Sequence, residues 1–176
     1  MRFAHDVHEE TYKKVAEYLP DFFDDPFQDD EDGHFYVRYG STVLEIAVDP
    51  YGPQEAAVKI TGYCVQGTEI TEGLLHNLLE INHSIPFGAF SAVGEDIFFS
   101  HSVFGRDLTP RALLTAIAAV ANVADEFDDL LAEKYGGQTA LERIQDTGGR
   151  RRRHARRRTT PESITETGAI EIVPPS

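Results

Sequence analysis

The sequence predicts an α+β fold: an antiparallel sheet with packed helices, in the order α-β-β-β-α-β-β-α, plus a disordered C-terminal tail. Two periodicities alternate along the body of the chain. Apolar residues recur at steps of three and four in some segments and at steps of two in others, so amphipathic helices and half-buried strands are both present. Successive strand segments are joined by short turns rather than by helical crossovers, which makes them antiparallel neighbours. Past residue 146 no sustained periodicity remains and Gly, Arg and Thr dominate, a composition that cannot enter a core. The expected organisation is one domain over residues 1–146 and a tail over residues 147–176.

The first helix is read from "DVHEETYKKVAEYL", where Val7, Thr11, Val15 and Leu19 recur every four residues with Tyr18 beside them. Pro20 is expected to end it. The aromatic and acidic "DFFDDPFQDDEDG" reads as a solvated loop ahead of the sheet, bounded by Gly33. Strands are expected at Phe35–Tyr39, Thr42–Val48 and Ala56–Val65, the first two separated by Gly40-Ser41. In the second, Leu44, Ile46 and Val48 share one face and Val43, Glu45 and Ala47 the other.

Thr71 is the expected N-cap of a helix running to about His83, with Leu74, Leu75, Leu78, Leu79, Ile81 and Ile85 as a broad apolar stripe. Pro86 has no amide hydrogen and pushes Ile85 out of the helical region, so Asn82-His83 reads as an elbow into the next strand and not as part of an active site. Asn82 suits the loose carbonyls or left-handed conformation of a helix end. Strands follow at Ala89–Val93 and Asp96–Phe104 around Gly94-Glu95. The last helix begins at Thr109 with Pro110 in the first position and stops at Gly136-Gly137. Its residues Leu113, Ile117, Val120, Ala124, Phe127 and Leu131 form a buried seam. Flanking apolar residues, Leu114, Ala116, Ala118, Ala119, Ala121 and Val123, require cover on more than one side, by sheet and helix or by a second subunit. "QTALERIQD" is a candidate short helix.

One domain plus a tail is what 176 residues allow, and 41% apolar residues with eleven Phe and seven Tyr are ample for a core. Cys64 is the single cysteine, which excludes an intramolecular disulfide and a cysteine-based zinc cage and suits a reducing compartment. No apolar run has signal-peptide or membrane-span length, so a soluble cytoplasmic protein with no membrane partner is expected. The net charge of −14 conceals two different polymers. Residues 1–149 carry nine Lys/Arg against 27 Asp/Glu, and residues 150–176 carry seven Arg against three Glu. So acidic a body repels phosphate backbones and anionic membranes and favours neutral or basic partners.

Sites for chemistry are sparse. His76 and His83 stand two helical turns apart, about 10 Å, too far for one ion, and no HExxH motif accompanies them. His101 shares strand parity with Ile97, Phe99 and Val103, so partial burial is expected. "FQDDEDGHF" fails as a calcium loop, because placing Gly33 at the sixth position puts Gln28 first and Tyr39 twelfth. The clustered Asp125, Asp128 and Asp129 read as a solvated acidic face or a surface for a basic partner. No GxSxG, Walker loop or dinucleotide fingerprint is present, and Cys64 within a strand reads as an inert thiol. No catalytic residue, cofactor or metal is assigned, and a non-enzymatic protein is expected. The tail run "GRRRRHARRR" suits nonspecific nucleic-acid contact, contact with a client or the acidic body, or solubilisation; without an aromatic residue it is poorly suited to base stacking.

The helix leading into "NHSIPFGAF", the turn into "DIFFSHSVF", the helix start "LTPRALLTAI" and "ADEFDDLL" near its end together resemble the YbjN family and the peptide-binding domains grouped with type III secretion chaperones. Residues 71–137 carry the pattern best, Asp6–Val65 fits the preceding portion, and the acidic insert Asp21–Asp32 and the tail depart from it. The resemblance implies a bacterial chaperone-like fold, usually dimeric, that binds peptide segments or partner proteins; it carries over no catalytic residue. Expected partner contacts are the outward-facing Phe98 and Phe104, the acidic Asp125, Asp128 and Asp129, and the tail residues Arg151, Arg152 and Arg153. The alternative is a regulatory factor whose Arg-rich tail contacts nucleic acid.

Overall fold

The computed structural model describes residues 2–24, 26–29, 32–39 and 42–139. Helix α1 (Asp6–Phe22) is followed by strands β1 (Phe27–Gln28), β2 (Phe35–Tyr39), β3 (Thr42–Tyr51) and β4 (Glu55–Gln66). Helix α2 (Glu72–Ser84), strands β5 (Ala89–Val93) and β6 (Asp96–Phe104), helix α3 (Pro110–Tyr135) and strand β7 (Gln138–Thr139) complete it. All strand pairs are antiparallel, in the order β1-β2-β3-β4-β6-β5, with β7 on β4. The α+β class and the eight expected elements are therefore present, with two short strands added.

Local chemistry accounts for the helix starts. The hydroxyls of Thr71 and Thr109 accept from the amides of Leu74 and Ala112 at 3.2 Å, each satisfying a donor that the first turn leaves free. Pro110 occupies the first turn of α3, where its missing N–H costs nothing, and Gly136 at φ 76° ends the helix. Pro20, expected to end α1, instead lies inside it. Two further residues stay helical, and the amide of Phe23 still reaches Leu19 O at 3.0 Å, so the proline removes one bond without stopping the turn.

Two other expectations are corrected. The acidic segment is not loop throughout, since Phe27 and Gln28 pair with Tyr36 and Phe35. Gln138 and Thr139, expected to open a helix, pair with Gln66 and Val65 of β4 on the edge that β3 no longer covers. The rest of "QTALERIQD" and the expected tail lie outside the described residues.

The core lies between one sheet face and the helices. Ala56, Val58, Ile60 and Cys64 of β4 are buried with Leu44, Ile46 and Val48 of β3, Ile97 and Phe99 of β6, and Leu113, Ile117, Val120 and Ala124 of α3. Gly62 lets α3 approach: a Cβ there would stand 3.0 Å from that of Ala124. Between Tyr63 and Val65 the β4–β6 register shifts, making Cys64 a bulge residue. The bulge turns both Cys64 and Val65 inward, which a regular strand cannot do. α3 is covered along its seam by β3, β4 and β6, with α1 touching it as well, so most of its apolar circumference is accounted for within one chain.

Candidate protein-binding surfaces

Among the described residues, no helix packs on the sheet face opposite α1 and α3. Alternation along β3, β4 and β6 puts Tyr51, Ala57, Lys59, Thr61, Tyr63, Phe98, Ser100, Ser102 and Phe104 there. Two aromatic pairs mark its ends, Tyr63–Phe98 between the neighbouring strands β4 and β6, and Tyr51–Phe104 reaching over β4 from β3 to β6. The rings of Tyr51 and Phe104 lie 5.9 Å apart, and Phe104 is 66% exposed; those of Tyr63 and Phe98 meet edge to face at 5.1 Å and are half-buried. Phe98 and Phe104 are six residues apart on one strand, a span of about 20 Å, with Lys59, Thr61, Ser100 and Ser102 between. Both have the outward orientation that parity gave them. Their aromatic partners Tyr63 and Tyr51 were not singled out from sequence, because cross-strand neighbours depend on register.

Beside Tyr63 lies a polar cluster. Glu45, 7% exposed, accepts from the Tyr36 hydroxyl at 3.3 Å and the Tyr63 hydroxyl at 3.2 Å through Oε2. Its Oε1 is 3.3 Å from His34 Nδ1, which is also 3.4 Å from Asp32 Oδ2. Burial, followed by the negative charges of Glu45 and Asp32, pushes the Tyr36 phenol well above its ordinary range. The Tyr36 and Tyr63 hydroxyls supply the buried Glu45 carboxyl with two donors beneath the aromatic surface. Sequence placed Glu45 on the outer face but could not supply its partners from two other strands and a turn.

A second surface surrounds α2. Leu74 and Leu78 enter the core, whereas Leu75 is exposed and Leu79 is 67% exposed, so the broad apolar stripe is only half used. Asn82 projects toward the edge strand β5. Its Oδ1 accepts from the Phe90 amide at 2.7 Å and its Nδ2 donates to Phe90 O at 3.2 Å, filling both backbone positions that β6 does not use. Ile85 takes an extended conformation as the cap. The elbow is present, but Asn82 performs a different task from the one expected, fastening a strand edge rather than closing its own helix. On the other flank of α2, Asn77 and Ile81 face Phe127, Leu130, Leu131, Glu133 and Lys134 of α3 across a groove of about 530 Å³.

The remaining expected contacts are dispersed. Asp125 and Asp129 are exposed on α3, and Asp128 is partly buried near Cys64. All three belong to the helix layer, across the sheet from Phe98 and Phe104, so the structure does not join the acidic and aromatic sets in one surface. Arg151, Arg152 and Arg153 lie outside the described residues. Burial first, with the Asp128 charge second, pushes the Cys64 thiol up to about 12, in keeping with an inert thiol. His101 is half-buried against Phe87, with ring centroids 5.6 Å apart, as parity implied. His76 is exposed, 3.3 Å from Glu80. Among the described residues, no helix is long and apolar enough to cross a membrane.

Residues 9–143 match the family described as "T3SS (YopN, CesT) and YbjN peptide-binding chaperone 1", or TY-Chap1. The chain belongs to this family. The match spans α1 through β7, so every surface above is TY-Chap1 surface, and it bears out the resemblance read from the helix-strand-helix run. The fold is also similar to a solved structure titled "Crystal Structure of the ExsC-ExsE Complex", with TM-score 0.57 and 14% identity, covering 72% of this chain and 97% of that one. At that identity the likeness concerns the fold. No individually curated protein matches the chain.

Proposed function

We propose that this TY-Chap1 chain is a non-enzymatic binding protein that holds an extended segment of a client across the open face of its sheet. The observation that carries the reading is the pair of aromatic contacts, Tyr51–Phe104 and Tyr63–Phe98, separated by about 20 Å of polar strand surface on a face left bare by the helices. An extended chain advances about 3.3 Å per residue. A segment with large apolar residues six apart would therefore set one on each aromatic pair and lie over hydroxyls between them. Family membership supports the class of ligand, and the ExsC–ExsE title supplies a structural relative found in a complex.

In this reading the protein is a homodimer, housed in the cytoplasm, and each protomer carries its own client face. What supports the dimer is the pair Leu75 and Leu79, exposed on the flank of α2 beside β5. This replaces the argument from α3, whose apolar circumference is largely covered in one chain. Immobilised overlapping peptides with apolar residues at six-residue spacing test the client site. Binding should fall at least tenfold with Tyr51→Asp or Phe104→Asp and persist with Leu79→Asp. Equal binding by the Phe104→Asp protein, shown folded by circular dichroism, would remove the open face from the function. Retained binding in a chain ending at residue 146 would separate this role from the alternative, in which the Arg-rich tail contacts nucleic acid.

A further inference from the structure

The groove between α2 and the second half of α3 belongs neither to the open sheet face nor to the Leu75–Leu79 flank. Its floor is apolar, made by Ile81, Phe127, Leu130 and Leu131, and Glu133 lies on its wall. The exposed carboxylates Glu126 and Asp129 belong to the same two turns of α3, and Glu80 precedes Ile81 on α2. Lys134 is the cation of that wall, and its ammonium lies 5.0 Å from the centre of the Tyr135 ring. Within the groove Glu133 and Lys134 balance, and the negative excess comes from the exposed Glu80, Glu126 and Asp129 beside it in the helices. An occupant with long aliphatic stems ending in positive charge, as arginine has, therefore suits the apolar floor and this acidic border.

A second copy of the body would bring the same excess of carboxylates and oppose them. The chain's own continuation does not. β7 ends at Thr139 beside the C-terminal end of α3, where Thr68 Oγ1 also donates to Tyr135 O at 3.0 Å. The run Arg150–Arg158 contains seven arginines and starts eleven residues after Thr139. Eleven residues reach up to about 35 Å, whereas Phe127 to Lys134 spans about 10 Å of helix. Covalent attachment by such a linker supplies an effective concentration in the millimolar range, enough for exposed ion pairs that would be too weak between separate molecules.

We propose that the Arg150–Arg158 segment lies in the α2–α3 groove of its own chain, with guanidinium groups on Glu126, Asp129 and Glu133 and side-chain stems on Ile81 and Leu130. This occupant covers the groove in the absence of a partner and is displaced by salt or by a competing polyanion. It does not depend on the client site across the sheet.

The test uses the full chain with Ala155→Cys carrying a nitroxide; buried Cys64, with its raised thiol pKa, stays unlabelled under native conditions. At low salt the methyl signals of Ile81 and Leu130 should broaden severalfold more than those of Val93, which is exposed on the far sheet face. The effect should vanish at 1 M NaCl, where the screening length falls to about 3 Å, and in the double variant Glu126→Lys, Glu133→Lys. A mixture of nitroxide-bearing chain with isotope-labelled wild-type chain should show clearly weaker broadening than the singly labelled chain shows within itself. Uniform broadening over all surfaces, or broadening in the mixture as strong as within one chain, would overturn the proposal, as would a groove signal that appears only when duplex DNA is added.

Discussion

Replacing Asn82 by alanine removes the two hydrogen bonds that its amide makes with the backbone of Phe90, at 2.7 and 3.2 Å. The Phe90 side chain is buried and both hydrogen bonds are partly buried, so water replaces these partners incompletely. At about 1 kcal/mol net per bond, the expected loss is about 2 kcal/mol, or a fall in Tm of roughly 4–8 °C for a domain of this size. Urea unfolding followed by circular dichroism should show a lower midpoint at unchanged slope, because the surface exposed on unfolding is the same. Hydrogen exchange should place the loss locally, with the Phe90 amide accelerated more than that of Ile60 in the centre of β4. Asn82→Asp keeps an acceptor for the Phe90 amide but loses the donor to Phe90 O, so it should not restore wild-type stability at neutral pH. An unchanged midpoint together with unchanged Phe90 exchange in Asn82→Ala would refute the claim that this side chain fastens the sheet edge.

Phe99 is fully buried and Phe104 lies on the open face, so Phe99→Asp should cost more than about 4 kcal/mol and prevent cooperative folding, while Phe104→Asp should keep a wild-type far-ultraviolet spectrum. Cys64 should resist iodoacetamide at pH 8 in native protein and react fully in urea, as measured by mass spectrometry. The raised pKa of Tyr36 means that the unfolded chain ionises first. Its contribution is therefore complete below about pH 10, the unfolded value, and is lost as pH rises toward the folded value. Tyr36→Phe should flatten the alkaline fall in stability measured by urea titration. Light scattering at tens of micromolar should report a dimer for the full chain and a monomer for the double variant Leu75→Glu, Leu79→Glu; a monomeric wild type would remove the dimer from the proposed function.

The sequence by itself determined the features governed by neighbouring residues. Thr71 and Thr109 mark helix starts because a hydroxyl three residues before a free amide can accept from it, and Gly94-Glu95 marks the β5–β6 hairpin because its turn favours a residue with positive φ. Parity along β6 separated Phe98 and Phe104 from Ile97 and Phe99 for the same reason, since alternation is a property of one extended strand. Only the tertiary structure decided that β6, not β5, pairs with β4, and so left β5 as the edge that Asn82 fastens. It also brought Tyr36, Glu45 and Tyr63 together from three strands, paired Tyr51 with Phe104, and turned Gln138-Thr139 into a strand by offering the free end of β4. These choices rest on which distant segments meet and in what register. Local periodicity leaves them open, because either face and either neighbour satisfies the same pattern until the whole core is packed.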